Sequence, residues 1–261
     1  MRPRTVAVVQ ARVESMRLPR KVLLDLTELT VLDWVVGRAR RAKTIDQLVV
    51  ATTTDASDDP LVEHCRDLGY PFVRGSREDV LDRVVTAAAS ERADVVVRLT
   101  GHTPFVDPDI VDLLVRTHLR EHRDYTTNSL PSPHPHTYPA GLDVEVVSMI
   151  ALTQAWTARE GVRHREGVTP YLYEEPGRFN VRIVDGPVAA GDARWDVTTV
   201  ADLAALRALA AAAGARLSTP WTELLRVWRD RPDIAELNVT TERSLLAPAD
   251  RPVRLAGLPG S

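Results

Sequence analysis

Val6-Ala7-Val8-Val9-Gln10-Ala11-Arg12-Val13-Glu14-Ser15-Met16-Arg17-Leu18-Pro19-Arg20-Lys21 decides the reading of the fold. Val6 to Val9 is an unbroken apolar run rich in β-branched residues, the pattern of a strand buried on both faces. It breaks directly into a short loop carrying Arg12, Ser15, Arg17 and Lys21. In open α/β sheets, ligands bind where loops leave the carboxyl ends of the strands. Guanidinium forks, an ammonium point charge and a hydroxyl in one loop suit a triphosphate. The plain alternative is a solvated basic turn, against which stands the loop's direct exit from a buried strand.

Working outward, strand and helix patterns alternate. Val31 to Ala42 reads as an amphipathic helix and Gln47 to Ala51 as a second strand. Ser57-Asp58-Asp59-Pro60 starts a helix with Leu61 to Leu68 as its body. Tyr70 to Arg74 is a short strand, and Ser76 caps a helix running to about Ser90. In that helix Asp79 and Arg83 stand four apart, the spacing of a surface ion pair. Ala93 to Leu99 is a strand and Asp107 to Arg120 a helix. Ser129 to Tyr138 is a long loop rich in Pro, His and Ser, and loops of that length tend to be functional or interfacial. Leu142 to Val147 and Phe179 to Val184 read as strands, with helices at Ile150 to Arg159, Val200 to Ala213 and Pro220 to Arg229. The alternation implies an α/β protein with a mostly parallel sheet covered on both sides, three layers in all. Residues 246–261 are expected to form a disordered tail.

The composition narrows the function classes. The net charge of -3 gives no argument for nucleic acid or a membrane surface as partner. No apolar run is long enough to span a bilayer and no signal peptide is visible, so a cytoplasmic location is expected. The one cysteine, Cys65, excludes an intramolecular disulfide framework and a thiolate metal cluster.

The basic loop resembles the R-x-x-S-x-R-L-P-x-K signature of the sugar cytidylyltransferases, specifically the spore-coat polysaccharide type related to CMP-KDO and CMP-sialate synthetases. Arg12, Ser15, Arg17, Leu18, Pro19 and Lys21 fit it; Glu14 and Arg20 stand where that family usually or often has glycine. Further blocks fit in order over residues 5 to 240: Val49 to Thr52, Val73 to Arg83, Val96 to Gly101, Tyr138 to Val146 and Arg165 to Tyr171. The resemblance implies the nucleotide-diphospho-sugar transferase fold, GT-A-like and Rossmann-like. It implies a single domain over residues 1–245, with an insertion at about 129–175 that faces the acceptor and a dimer partner. The implied reaction transfers CMP from CTP to a sugar or other small acid, with Mg2+ as cofactor and a homodimer as the assembly.

Carried over residue by residue, the resemblance places Gln10, Arg12, Ser15, Arg17, Lys21, Arg74 and Ser76 at the nucleotide, and Arg98, Asp143, Glu145 and Glu166 at the acceptor. Lys21, Arg17 and His102 are the candidate catalytic groups. Two departures bear on the metal. The family's R-x-T-G-D-x-P appears as Arg98-Leu99-Thr100-Gly101-His102-Thr103-Pro104, with His102 at the magnesium aspartate. Its R-x-T-V-D-T-P-E-D-L matches Arg194 to Leu203, where the second metal aspartate falls on Thr198 and Asp196 lies two residues earlier. Imidazole is a poor ligand for a hard cation that wants oxygen donors. Weak magnesium binding is therefore expected, with His102 either a neutral loop residue or a general acid or base, and Asp196 a possible shifted carboxylate. Two other readings stay open: metal-independent chemistry on a different anionic small molecule, and a non-catalytic homologue. His134-Pro135-His136 lacks metal-ligand spacing and reads as exposed loop.

Overall fold

The computed structural model describes residues 2–131, 133–158 and 161–239. The expected tail and the last residue of the helix ending at Arg159 lie outside the described residues. The Val6–Val9 run forms β1 (Thr5–Gln10), whose first five residues are buried. β2 (Gln47–Thr53), β3 (Phe72–Gly75) and β4 (Val95–Thr100) run parallel to it, with Val8 opposite Val49 on one side and Arg98 on the other. β5 (Tyr125–Thr127), β6 (Glu145–Ser148) and β7 (Val181–Ile183) complete a seven-stranded sheet in the order β3-β2-β1-β4-β6-β5-β7, with β6 antiparallel to both neighbours. The strand order reverses between β1 and β4, so the crevice at their carboxyl ends is the topological switch point.

Helices cover both faces. On one face α1 (Val31–Ala39), α2 (Asp59–Asp67), α4 (Pro108–Arg120), α8 (Val200–Ala212), α9 (Trp221–Asp230) and α10 (Pro232–Ala235) enclose a core containing Val9, Val97, Leu114, Trp195 and Leu206. On the other, α3 (Val80–Ser90), α5 (Met149–Ala158), α6 (Val162–Gly167) and α7 (Pro170–Tyr173) enclose Val8, Val49, Leu81, Tyr125 and Leu172. Local chemistry sets the helix starts. Thr30 and Asp33 form a capping box at α1, Thr199 and Asp202 another at α8, and Asp107 caps α4 ahead of Pro108.

Several expectations are corrected. Ser76 does not cap α3; Asp79 does, accepting from Asp82 N at 2.9 Å, while Ser76 Oγ accepts from Asp79 N. Asp79 and Arg83 form no surface pair: Asp79 is bound by Arg165, and Arg83 turns inward. Leu142 to Val144 do not join the ladder, because the Asn128 side chain takes their backbone groups, donating to Leu142 O and accepting from Val144 N, both at 2.8 Å. The short α6, α7, α10 and β5 carried no periodic signal, being under two turns or three residues long.

Candidate active site

The basic loop leaves β1 at the switch point. Its closure is a left-handed residue: Arg20 has φ 59° and its N–H donates to Val13 O at 2.9 Å. A glycine adopts that conformation without the Cβ penalty an arginine carries. Lys21 to Leu23 then form a single 3-10 turn. Val13 N–H donates to the buried Asp58 carboxylate at 2.6 Å, which ties the loop to the β2–α2 connection. Glu14 does not point at the loop's ligand; it pairs with Arg77, which also holds Asp55 at 3.1 Å. The extra carboxylate is thus neutralised across the cleft, and Arg12, Ser15, Arg17 and Lys21 stay at the switch point.

Lys21 is half-buried. Burial pulls its ammonium down to about 8; Arg17 and Arg12 push the same way, and Asp196 and Asp202 oppose them. His102 follows β4 and is half-buried. Desolvation, then Lys21, Arg17, Arg98 and Arg194, holds its pKa well below the usual histidine range. These surroundings favour the neutral imidazole.

On the α3 side of the sheet a second set of groups is linked. Gln10 Oε1 accepts from Arg98 Nη2 at 3.0 Å, and Arg98 pairs with Glu145. Glu145 also accepts from Tyr125 Oη at 2.7 Å and Thr169 Oγ1 at 2.5 Å. Burial and Glu145 push the Tyr125 phenol well above its ordinary value, so it remains a donor. Thr169 is presented by a strained γ-turn: Val168 has φ 71° and ψ -55°, and Thr169 N–H donates to Gly167 O at 2.9 Å. A β-branched residue at positive φ is a backbone outlier of the kind that clusters at functional sites.

The carboxyl-end segment from Arg194 to Asp202 is a third set. Arg194 Nε donates to Asp202 Oδ1 at 2.9 Å, and its Nη2 donates to Thr198 Oγ1 at 2.6 Å and reaches Asp196 Oδ2 at 3.3 Å. Thr198 Oγ1 in turn donates to Asp202 Oδ2 at 2.7 Å. Against the burial that opposes them, these bonds hold the Asp202 carboxyl below its usual range. Asp196 differs: burial, with Asp202 and Asp143 adding to it against Arg194, raises its pKa, and its Oδ1 is buried with no partner. Gly141 brings the Asp143 turn against this segment. It has φ 99°, and a Cβ there would lie 2.6 Å from the Trp195 carbonyl. Gly141→Ala is therefore expected to cost more than about 2 kcal/mol, from strain and overpacking together, and to displace Asp196. Urea unfolding at unchanged m-value checks it; a midpoint equal to wild type contradicts the close approach.

A family-type magnesium site needs oxygen ligands in near-octahedral geometry. The residues present do not fit one. Thr198 is saturated by Arg194 and Asp202, His102 supplies a nitrogen amid cations, and Asp196 alone has an unengaged buried oxygen. Among the described residues no group of three or more His, Cys, Asp or Glu is placed to hold a metal.

Of the remaining expected residues, Arg74 is spent on the β2–α2 connection, donating to Thr53 O at 2.8 Å and Asp55 O at 2.9 Å and pairing with Asp59 at 2.8 Å. Asp143 accepts from Gly141 N at 3.1 Å, and Glu166 is exposed on α6. The structure thus links Gln10, Arg98 and Glu145, sets Arg12, Arg17, Lys21 and His102 near one another with Ser15 on the same loop, and engages the Arg74 and Ser76 side chains locally, with Glu166 exposed. Sequence reading missed Tyr125, Thr169 and Arg194. Thr169 and Arg194 lay inside matched blocks, whereas Tyr125 joins through a three-residue strand with no pattern of its own.

A mostly parallel sheet with a cationic loop at its switch point is the class of α/β protein that binds anionic ligands at the carboxyl ends of its strands. Comparison with known proteins gives the particular family. Residues 6–202 match the cytidylyltransferase family model. The spore coat polysaccharide biosynthesis protein SpsF of Bacillus subtilis is 33% identical over 237 residues, covering 87% of this chain and 95% of that protein. A cytidylyltransferase from Leptospira borgpetersenii superposes with a TM-score of 0.84 at 25% identity, over 93% of this chain and 99% of that one. A CMP:2-keto-3-deoxy-manno-octonic acid synthetase complexed with CTP shares the fold, with a TM-score of 0.62 at 20% identity over 80% of this chain and 98% of that one. This chain belongs to the cytidylyltransferase family. No helix among the described residues is long and apolar enough to cross a membrane.

Proposed function

We propose that this chain transfers CMP from CTP to a small sugar acid or related acid, releasing pyrophosphate. The observation that carries it is the placement of Arg12, Ser15, Arg17 and Lys21 on one loop at the sheet's switch point. In this reading Arg12, Arg17 and Lys21 hold the β- and γ-phosphates and stabilise the charge that moves onto pyrophosphate. Gln10, Arg98 and Glu145 face the acceptor from β1, β4 and β6, with Asp143 at the edge of that surface. The acceptor hydroxyl oxygen attacks the α-phosphorus, the bond from that phosphorus to the α–β bridging oxygen breaks, pyrophosphate leaves with the electron pair, and the hydroxyl proton passes to the departing pyrophosphate or to water. His102, neutral, contributes hydrogen bonding without charge. The test is pyrophosphate release from CTP over a panel of sugar acids, with and without magnesium, alongside calorimetric titration of CTP. No binding and no release under either condition would leave the non-catalytic reading.

A second reading, catalysis without a divalent ion, is favoured by one observation: Thr198, at the family's metal position, is consumed by Arg194 and Asp202. The five cations Arg12, Arg17, Lys21, Arg98 and Arg194 would then do electrostatically what the ion does elsewhere.

We propose also that the chain acts in the cytoplasm as a homodimer with two-fold symmetry, through the segment 129–138 and the stretch Leu142 to Val147 of the insertion. Light scattering at micromolar concentration is expected to give twice the 28.9 kDa chain mass. A single-chain mass would contradict it.

A further inference from the structure

A buried arginine normally comes with a full set of acceptors. Arg38 shows the pattern: fully buried, it donates to Val106 O at 2.7 Å and Thr219 O at 2.7 Å, and pairs with Asp107 at 3.1 Å. Arg83 is as deeply enclosed, at 1% exposure, and differently supplied. Its Nη1 donates to Ser76 O and reaches Arg77 O at 3.5 Å, its Nε has no partner, and among the described residues it forms no ion pair. The two carboxylates nearest in charge are already engaged. Asp58 accepts from Val13, Thr52 and Thr53, and Asp79 is bound by Arg165.

Its surroundings carry both signs: Arg12 and Arg98 repel it, while the engaged Asp58 and Asp79 attract it without bonding it. α3 lies across β3, β2 and β1 on the face where Val6 and Val8 meet Leu81 and Val84. Gln10 continues that face and holds the Arg98 guanidinium. Gly75 makes room, since a Cβ there would lie 3.1 Å from Arg83 Cγ. Burial, then Arg12, with Arg98 also adding repulsion, draws Arg83 down to about 10. A cation kept dry with no carboxylate bonded to it and one N–H unpaired destabilises the free protein and is relieved by an anion that binds there.

We infer that Arg83, with Arg12 and Arg98, forms a cradle for an oxyanion on the α3 side of the switch point, either a phosphate of the bound nucleotide or the carboxylate of its acid acceptor. The inference rests on the proposed cytidylyl transfer for the source of the anion. Both sources share the planar oxyanion edge that guanidinium forks match.

The test uses the full chain as wild type, Arg83→Met, Arg83→Lys and Lys21→Ala. Calorimetry reads the affinity for CTP, for inorganic pyrophosphate and for 3-deoxy-manno-octulosonate as the acid probe, and thermal unfolding is followed without ligand. Arg83→Met is expected to keep or raise the melting temperature, because it removes a dry charge, and to weaken at least one probe roughly tenfold or more, the scale of one charge-assisted bond. Arg83→Lys should recover part of that affinity. Loss confined to CTP and pyrophosphate assigns the cradle to the nucleotide; loss confined to the acid assigns it to the acceptor. Unchanged affinities with a lowered melting temperature would make Arg83 a strut for the β3–α3 loop and overturn the inference. If only Lys21→Ala weakens CTP, the cradle falls and the cytidylyl reading stands. If pyrophosphate binding depends on Arg83 in a protein that ignores CTP, the cradle stands and the cytidylyl reading falls. A wild type that binds none of the probes overturns both.

Discussion

Lys21→Ala and Arg17→Ala are each expected to weaken CTP binding by about 1.5–3 kcal/mol, the worth of one hydrogen bond to a charged group in a partly desolvated site. The fold should persist, because neither side chain carries core packing: Arg17 is exposed and Lys21 half-buried. Lys21 adds a pH signature. Its pKa in the free site is about 8, so the ammonium that attracts phosphate is half present at that pH and complete only at roughly a unit below it. The Lys21 contribution to affinity should therefore be level to neutral pH and fall as pH rises through 8. The fall continues until the pKa of the bound state, which the phosphate raises, is reached. Lys21→Ala should abolish this slope. Arg17→Ala should keep it and shift its midpoint upward, since Arg17 is one of the charges that depresses Lys21. Isothermal titration across the pH range checks all of these together. Affinity unchanged from wild type in both variants would remove the loop from the site.

The second large effect concerns the metal. The wild type is expected to bind magnesium weakly and to show little magnesium-dependent pyrophosphate release. The reason lies in the network as much as in the ligand count. Arg194 already occupies the ground where a cation would sit, bonded to Asp202, Thr198 and Asp196. The double substitution His102→Asp with Thr198→Asp should raise magnesium affinity by at least tenfold. It also sets a new carboxylate beside Asp202, which Thr198 Oγ1 now meets at 2.7 Å. Two carboxylates at that range repel unless one protonates or a cation joins them. The double variant should thus melt lower than wild type without metal and regain stability as magnesium is added, by the usual coupling of ligand to the folded state. Thermal unfolding against magnesium concentration reads the coupling, and pyrophosphate release reads its chemical consequence. Robust magnesium-dependent release by the wild type would restore a metal-dependent reaction here.

The sequence by itself determined the parallel strands β1 to β4, the longer helices that cover them and the position of the anion loop. Val6–Val9, Val95–Leu99 and the helix starts at Thr30, Asp107 and Thr199 are local signals: β-branched runs and caps act within a few residues. The loop's location followed from them, since a loop leaving a buried parallel strand has one place to go. The tertiary structure decided what each polar side chain meets. Arg74 and Ser76 fit the motif and are spent on their own loops, while Arg83, spaced for a surface pair, is buried by α3 lying across β3, β2 and β1. Thr198 reads as a lost metal ligand in the chain and as a saturated relay between Arg194 and Asp202 in the fold. Asp196 is a half-buried carboxylate with one buried, unengaged oxygen among the described residues, on a segment against which Gly141 packs at Trp195. Burial and partner geometry are sums over residues far apart in sequence, and for a polar group they fix its charge and its availability to a ligand.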